Sequence, residues 1–369
     1  MSAPLLSISR RIRSTPFTRR VEAAGVKAYT VYNRMLLPTV FSTVEDDYHH
    51  LKRAVQVWDV SCERQIELNG QDAGKLAQMM TPRDISRLQD DQCVYTPSVD
   101  GRGGLLNDPM TMRVGPDRYW ISIADSDLLL WVKGLALGSG LNVNVTEPDV
   151  APLAVQGPKA DELMARVFGD DVRSIRFFRF ARLPFRGRDF IVARSGYSKQ
   201  GGFEIYVEGN DLAEPLWDAL FDAGKDLDVR PGCPNLIERI EGGLLSYGND
   251  MTLENNPYEC GLGRFCKPSA AVDCIGRDAL LQLERIGPAR EMRSFAIDGD
   301  AQAPCSDAWR LLSDGKQVGM VTSAVWSPDF ETTVGLGIID ASHWKDGTTV
   351  EIETLEGMRK ARVRARPFI

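Results

Sequence analysis

The run Ser195-Gly-Tyr-Ser-Lys-Gln-Gly-Gly-Phe-Glu-Ile-Tyr206 combines turn-forming glycines with side chains that can bind a ligand. Its three glycines can adopt backbone conformations that residues with a Cβ resist. The alternation that follows predicts a strand over 203–207, with Glu204 and Tyr206 on one face. A carboxylate and an aromatic ring that leave a turn side by side can hold a flat, nitrogen-rich ring. An ordinary hairpin with an exposed glutamate is the alternative, and this run alone does not decide between them.

Other familiar catalytic patterns are missing. The sequence has no G-x-G-x-x-G and no G-x-x-x-x-G-K-[ST], which argues against a Rossmann site and a P-loop. Its three histidines, at 49, 50 and 343, are interpreted as solvated or structural. The cysteines at 260, 266 and 274 lack a CxxC pair and a nearby histidine, so no metal is predicted. An enzyme with so little histidine must use carboxylates, amides or the reactivity of its substrate.

Composition predicts a globular protein of two or three domains. Of the 369 residues, 43% are hydrophobic and 26% are charged. The net charge of −7 disfavours a nucleic-acid partner. Because no apolar run approaches the roughly 18 residues that span a bilayer, no membrane partner is expected.

Cysteine usage and the amino terminus bear on the compartment. Seven cysteines without a disulfide framework indicate reduced thiols and a cytoplasmic protein. Five arginines, at 10, 11, 13, 19 and 20, occur in the first 21 residues without any acid. We expect these residues to form an arm that packs on the body. If these residues are a transit peptide instead, we expect the protein in the mitochondrial matrix.

The elements that must position these residues predict an α+β fold. Strands are expected at 65–70, 119–123, 153–157 and 203–207, and helices at 46–58, 72–80, 126–137, 158–168 and 211–224. After residue 287 the pattern changes to strands only, near 291–297, 317–325, 334–339, 348–354 and 358–364. The predicted domains are 1–286, with two intertwined subdomains, and an all-β domain over 287–369.

Five further segments resemble, in order and at family spacing, the sequence boxes of the tetrahydrofolate-dependent aminomethyltransferase (glycine cleavage T-protein) family. They are Trp58-Asp-Val-Ser61, Gly103-Gly-Leu-Leu-Asn-Asp108, Leu153-Ala-Val-Gln-Gly-Pro158, Arg239-Ile-Glu-Gly-Gly-Leu-Leu-Ser-Tyr-Gly248 and Thr322-Ser-Ala-Val-Trp-Ser-Pro328. The run that contains Glu204 resembles the family's pterin-binding signature. The resemblance implies two mixed α/β folate-binding domains and a C-terminal all-β barrel or jelly-roll-like domain.

The resemblance also implies roles for individual residues. Asp108 falls on the catalytic carboxylate beside the reactive folate nitrogens, and Glu204 falls on the glutamate that holds the pterin. Tyr95, Gln156 and Trp326 are further cofactor-binding candidates, with tetrahydrofolate as the methyl acceptor. A turn-capping aspartate is the plain alternative for Asp108.

Departures from the family pattern narrow the expected reaction. Where the family has A-R-D-x-L-R-L-E, this chain has Pro234-Asn-Leu-Ile-Glu-Arg-Ile-Glu241, which lacks the first arginine and puts its salt bridge to the folate tail in doubt. Where the family has G-Y-T-G-E, this chain has Gly196-Tyr-Ser-Lys-Gln200. Together with Tyr32-Asn-Arg-Met-Leu-Leu-Pro38 and Trp58-Asp-Val-Ser61, these two segments most resemble the members that demethylate dimethylsulfoniopropionate to methylmercaptopropionate and 5-methyltetrahydrofolate. Aminomethyl transfer or another folate-dependent N- or O-demethylation is the alternative. A non-catalytic folate-binding iron–sulfur assembly factor is a weaker one.

A sulfonium donor sets its own requirements. Aromatic faces hold such a cation without neutralising it, and Tyr206, Tyr32 and Tyr197 are the candidates. Lys199, Ser122 and the N-terminal arginines are candidates for the donor's carboxylate. The expected partner is thus a small sulfonium molecule, and a homodimer is left open.

Overall fold

The computed structural model describes residues 8–271 and 273–369. Backbone contacts divide these residues into two compact units. The first unit contains residues 8–64, 149–196 and 200–234, and the second contains residues 65–148, 197–199 and 235–369. The predicted domain boundary at residue 287 does not coincide with this division and stays a prediction.

A six-stranded, mostly antiparallel sheet forms the centre of the first unit. In spatial order its strands are Phe180–Phe185, Arg188–Ala193, Gly202–Glu208, Val150–Gln156, Val55–Asp59 and Val229–Gly232. Only the last pair is parallel. Helices of this unit are Thr18–Ala23, Val44–Arg53, Ala160–Phe168 and Ala213–Ala223, and a separate hairpin joins Ala28–Tyr32 to Met35–Val40.

Alternation along the strand Gly202–Glu208 places its odd-numbered residues in the hydrophobic core of this unit. Phe203, Ile205 and Val207 pack in the core together with residues from the helices Ala160–Phe168 and Ala213–Ala223. Phe17 joins the same core and is fully buried, which confirms that part of the N-terminal arm packs on the body. The even-numbered residues of the strand Gly202–Glu208 therefore lie on the opposite face.

The second unit contains an antiparallel sheet and a closed barrel. The sheet order is Asn144–Thr146, Gln65–Asn69, Arg118–Ser122, Met110–Gly115 and Cys93–Tyr95, and a small hairpin pairs Ser98–Val99 with Leu105–Asn107. Its helices are Ala73–Met79, Leu128–Ser139, Leu236–Glu241 and Arg277–Ile286. The barrel order is Arg290–Ile297, Thr332–Asp340, Lys316–Ser327, Trp309–Ser313, Thr349–Thr354 and Gly357–Arg364.

The predicted fold class is confirmed, and the C-terminal region is a closed six-stranded barrel rather than a jelly roll. One predicted element is wrong in its second half: the helix expected over 46–58 ends at Arg53, and Val55–Asp59 is a strand. All five residues of that strand are buried, so burial on both faces hides the alternation that would have shown it. The hairpins at 28–40 and 180–193 were not predicted.

Candidate active site

A tight turn positions the carboxylate of Asp108 in the second unit. The Asp100 side chain accepts hydrogen bonds from the backbone amides of Arg102 and Gly104, at 2.8 and 2.9 Å, which folds the chain back between two short strands. Asn107 then exchanges hydrogen bonds of 2.9 and 3.0 Å with the backbone of Ala124. Asp108 follows at once, so its backbone is fixed by the residue before it.

The carboxylate of Asp108 has one engaged oxygen and one free oxygen. The Tyr95 hydroxyl donates to Oδ2 at 2.7 Å. Oδ1 is shielded from solvent and has no hydrogen-bond partner among the described residues. Burial raises the pKa of Asp108 to about 7; the bond from Tyr95 opposes this shift and the nearby Asp250 carboxylate adds to it. Such a carboxylate can change its charge near neutral pH and can accept one more hydrogen bond.

Aromatic side chains surround this carboxylate. The rings of Tyr95 and Phe265 meet edge to face with their centroids 4.9 Å apart. The guanidinium of Arg83 lies 5.3 Å from the Phe265 centroid and donates to the Tyr95 carbonyl at 2.8 Å. Burial and the charge of Asp108 raise the pKa of Tyr247 to about 12, so its hydroxyl stays protonated and donates to the Leu105 carbonyl at 2.9 Å.

Two glycines precede Asp108 in the turn, and each is required by its surroundings within the protein. A Cβ on Gly104 would lie 2.5 Å from the carbonyl oxygen of Leu253. Gly103 has a φ of 83° and lies against the side chains of Leu280 and Leu283. Both glycines are required by packing within the protein.

In the first unit, Glu204 lies on the face of the six-stranded sheet opposite to Phe203, Ile205 and Val207. Its cross-strand neighbours are Ala154 on one side and Ala193 on the other. Both alanine side chains are shorter than the side chain of Glu204 and carry no polar group that could pair with its carboxylate. Tyr206, two residues along the same strand, points to the same face as predicted, and its hydroxyl lies 3.4 Å from Glu204 Oε2.

Hydroxyl groups hold one oxygen of Glu204. Ser195 and Tyr206 both donate to Oε2, and no described residue donates to Oε1. Burial raises the pKa of Glu204, while these two hydrogen bonds oppose the shift. The carboxylate therefore offers Oε1 to a hydrogen-bond donor.

The side chain of Gln156 fixes the glycine-rich turn before Glu204. The Gln156 side chain donates to the carbonyls of Ser195 and Phe203, at 3.2 and 3.3 Å. Its amide occupies the space that a Cβ on Gly196 would need, and Gly202 lies equally close to the backbone of the Val150–Gln156 strand. The structure thus gives Gln156 a role in shaping the turn. Its predicted contact with the cofactor stays a prediction.

Two further candidates have hydroxyls that are already engaged. Ser122 is buried and accepts a hydrogen bond of 2.9 Å from Gln65. Tyr197, in the second unit, donates to the carbonyls of Leu244 and Leu245, at 3.0 and 2.9 Å. The ring of Tyr197 is the part left for a cation, because its hydroxyl bonds to the backbone. Both roles in binding the donor stay predictions.

The remaining candidates lie apart along the chain. Tyr32 ends a strand at a turn formed by Asn33 and Arg34, which both have positive φ angles. Trp326 is half-buried in a barrel strand, opposite Thr333. Among the N-terminal arginines, Arg20 is engaged in ion pairs with Asp218 and Glu214, at 2.7 and 3.5 Å.

Sequence reasoning missed two residues that hold the site. Ser195 opens the glycine-rich run, and the antiparallel pairing of the strands 188–193 and 202–208 brings it to Glu204. The position of Ser195 at the start of the glycine-rich run could have indicated its role. Glu238 accepts a hydrogen bond from the Lys199 backbone amide at 2.5 Å. The signal for Glu238 was its position in the family box, where the pattern has a leucine.

The part of the chain that the structure describes contains neither a metal-binding cluster nor a membrane-spanning helix. Across 8–271 and 273–369, no group of three or more His, Cys, Asp or Glu side chains is arranged to hold a metal ion. No helix in the same part of the chain has the length and apolar character to cross a membrane. None of the seven cysteines, all of which lie within these ranges, forms a disulfide.

Comparison with known families covers nearly the whole chain. Residues 17–270 match the GCVT N-terminal domain, and residues 290–369 match the glycine cleavage T-protein C-terminal barrel domain. A dimethylsulfoniopropionate demethylase, DmdA of Ruegeria pomeroyi, is 60% identical over 356 residues, which is 96% of this chain and 97% of that protein. An aminomethyltransferase of Clostridium botulinum (strain Okra) is 31% identical over 336 residues, 89% of each chain.

A solved structure shows the same fold. The glycine cleavage system aminomethyltransferase T of Bartonella henselae superposes with a TM-score of 0.85 and 23% sequence identity. The match covers 97% of this chain and 98% of that one.

Proposed function

The chain belongs to the glycine cleavage T-protein family of aminomethyltransferases, and on this basis we propose that it is a tetrahydrofolate-dependent demethylase of dimethylsulfoniopropionate. The products are methylmercaptopropionate and 5-methyltetrahydrofolate. The 60% identity to a demethylase of this substrate, against 31% to an aminomethyltransferase, supports the choice of donor. We propose that the protein acts in the cytoplasm. Its proposed partner is a small sulfonium molecule.

The observation that carries the proposal is the free oxygen of Asp108. A buried acceptor without a partner is costly, and a ligand with an N–H group satisfies it. Glu204 independently offers Oε1 above two alanines, which suits a flat ring with N–H donors. Bound tetrahydrofolate supplies the N5 nitrogen that accepts the methyl group.

The sulfonium donor explains why so little acid–base machinery is needed. When the methyl group leaves, the electrons of the C–S bond stay on sulfur and the leaving group is a neutral thioether. No side chain has to protonate it. The protein has to align the methyl group with its acceptor, and such positioning contributes up to about 7–11 kcal/mol in well-oriented systems.

Asp108 has two tasks in this scheme. Its ionised form stabilises the positive charge that develops at the acceptor nitrogen. With a pKa near 7, it can also take up the proton that the nitrogen loses. Tyr95 holds Oδ2 and thereby orients Oδ1. The ring of Tyr206 is proposed to contact the sulfonium through its face.

The proposal is tested with a donor labelled at the sulfonium methyl groups with carbon-13. Purified protein with tetrahydrofolate should form labelled 5-methyltetrahydrofolate and methylmercaptopropionate in equal amounts. No transfer from the sulfonium donor, together with ammonia and methylenetetrahydrofolate from an aminomethyl-lipoyl protein, would contradict the proposal and establish the alternative.

A further inference from the structure

Two positions at which this chain departs from the family pattern are in direct contact. Aligning Arg239 with the second arginine of A-R-D-x-L-R-L-E places Glu238 where the pattern has leucine. Aligning Gly196 and Tyr197 with G-Y-T-G-E places Lys199 where the pattern has glycine. In the structure, Glu238 Oε1 accepts the backbone N–H of Lys199 at 2.5 Å.

Glu238 is held firmly on its helix. The helix Leu236–Glu241 begins at Asn235, whose side chain accepts the amides of Ile237 and Glu238 at 3.0 and 3.3 Å. Asn235 stands where the pattern has its first arginine. The Glu238 side chain is fully buried. A buried carboxylate that accepts a backbone amide fixes that amide more strongly than a neutral acceptor does.

The same stretch holds the rest of the segment Tyr197–Lys199. A Cβ on Gly242 would lie 2.8 Å from both Cγ and Cε of Lys199, so the lysine stem packs on this glycine. The Tyr197 hydroxyl is held by two consecutive carbonyls that follow Gly243. The backbone of this segment is thus held at Tyr197 and Lys199, and the lysine stem packs on Gly242.

The Lys199 ammonium group itself has no ion-pair or hydrogen-bond partner among the described residues, although its stem is fixed. Ordering a lysine side chain costs conformational entropy, and packing of the stem on Gly242 reduces that cost. An ammonium group fixed in this way is suited to bind a carboxylate.

We propose that Lys199 binds the carboxylate of the methyl donor and that Glu238 is the positioning residue that aims it. This inference rests on the proposed function, because the sulfonium donor carries a carboxylate. Lys199 then discriminates the zwitterionic donor from sulfonium compounds without a negative charge. In this proposal Glu238 acts through Lys199, as the acceptor of its backbone amide.

The test compares two donors, dimethylsulfoniopropionate and its carboxamide, in which the negative charge is removed with little change in size. For the wild-type protein, we expect KM to be about 10- to 100-fold higher for the carboxamide, the factor of a charge-assisted hydrogen bond. Lys199→Met keeps the stem and loses the charge, so its two KM values should become nearly equal while kcat at saturation is kept. Lys316→Met, on the barrel, is the matched control and should retain the wild-type ratio.

Variants around Lys199 test the positioning step. Glu238→Leu restores the family's leucine and should reduce the ratio of the two KM values, whereas Glu238→Gln keeps an acceptor for the Lys199 amide and should preserve most of it. Gly242→Ala, which displaces the lysine stem from the other side, should act like Glu238→Leu. A purely structural role would raise both KM values equally and leave their ratio unchanged.

The outcomes separate the two proposals. If Lys199→Met keeps the wild-type ratio of the two KM values, Lys199 does not bind the donor's carboxylate. If Lys199→Met loses the difference between the two KM values but folded Glu238→Leu and Gly242→Ala keep the wild-type ratio, Glu238 does not position Lys199. If the wild-type protein forms no 5-methyltetrahydrofolate from either donor, the proposed function itself is wrong.

Discussion

Asp108 is half-buried and Glu204 is buried, and in each carboxylate hydroxyl groups hold one oxygen, but their supports differ. Glu204 lies inside a seven-residue strand with partners on both sides, and two hydroxyls hold its Oε2. Asp108 follows a three-residue strand, and one hydroxyl holds its Oδ2. A carboxylate inside a sheet is a fixed acceptor that suits binding. A carboxylate at a strand end, with a pKa near 7, suits a step in which charge changes.

Among the substitutions that test this difference between the two carboxylates, Asp108→Asn should have the largest effect on kcat. The neutral amide cannot balance positive charge at the acceptor nitrogen, so kcat should fall by about 10²- to 10³-fold, as when a preorganised electrostatic group is removed. The dissociation constant for tetrahydrofolate, measured by calorimetry, should change much less. A variant that binds tetrahydrofolate poorly but keeps its kcat would make Asp108 a binding residue only.

Thermal unfolding provides the control for this variant. The raised pKa of Asp108, about 7 against an ordinary 3.8, means that the folded protein disfavours the ionised form. Its stabilising contribution is therefore present at low pH and is lost as pH rises through 7. Asp108→Asn should then unfold at a higher temperature than the wild type at about pH 8, and the difference should vanish below about pH 4.

The second effect concerns Glu204→Gln. Removing the charge should weaken tetrahydrofolate binding by about 10- to 100-fold, the range for a hydrogen bond to a charged group. Because the amide still fits between Ala154 and Ala193, kcat at saturating tetrahydrofolate should be largely kept. Unchanged affinity in a folded variant would remove Glu204 from the binding site.

The smallest effects come from the two tyrosine hydroxyls. Tyr95→Phe removes a 2.7 Å hydrogen bond that lowers the pKa of Asp108, so the midpoint of the pH–rate profile should rise by about one unit. Tyr206→Phe removes a contact of 3.4 Å, which is too long for a strong bond, and should change little. Tyr206→Ala should raise KM for the sulfonium donor because the ring face is lost. Equal effects of Tyr206→Phe and Tyr206→Ala would show that the hydroxyl, not the ring, matters.

Local pattern was enough to predict the strand that carries Glu204 and Tyr206, because alternation and the preceding glycines are encoded within a few residues. The barrel strands were mostly predictable for the same reason, although Trp309–Ser313 was missed. Val55–Asp59 was not predictable from pattern, since burial on both sides replaces alternation by an apolar run that continues from a helix.

Contacts between residues far apart in the sequence could not be predicted from local patterns. Ser195 reaches Glu204 only through strand register, and Glu238 lies 39 residues from the amide that it holds. The family resemblance assigned Asp108 a role, but only the structure shows which of its oxygens is free. The polar environment that raises or lowers a pKa is likewise a property of the packed molecule.

The most direct test of this account is the single-turnover rate of 5-methyltetrahydrofolate formation, measured against pH with both ligands saturating. If ionised Asp108 supports methyl transfer, the wild-type rate should be low in acid, rise through a midpoint near 7 and level off above it. Asp108→Asn should be slow at every pH without this rise. A flat wild-type profile, or an Asp108→Asn variant that transfers the methyl group at the wild-type rate, would contradict the account.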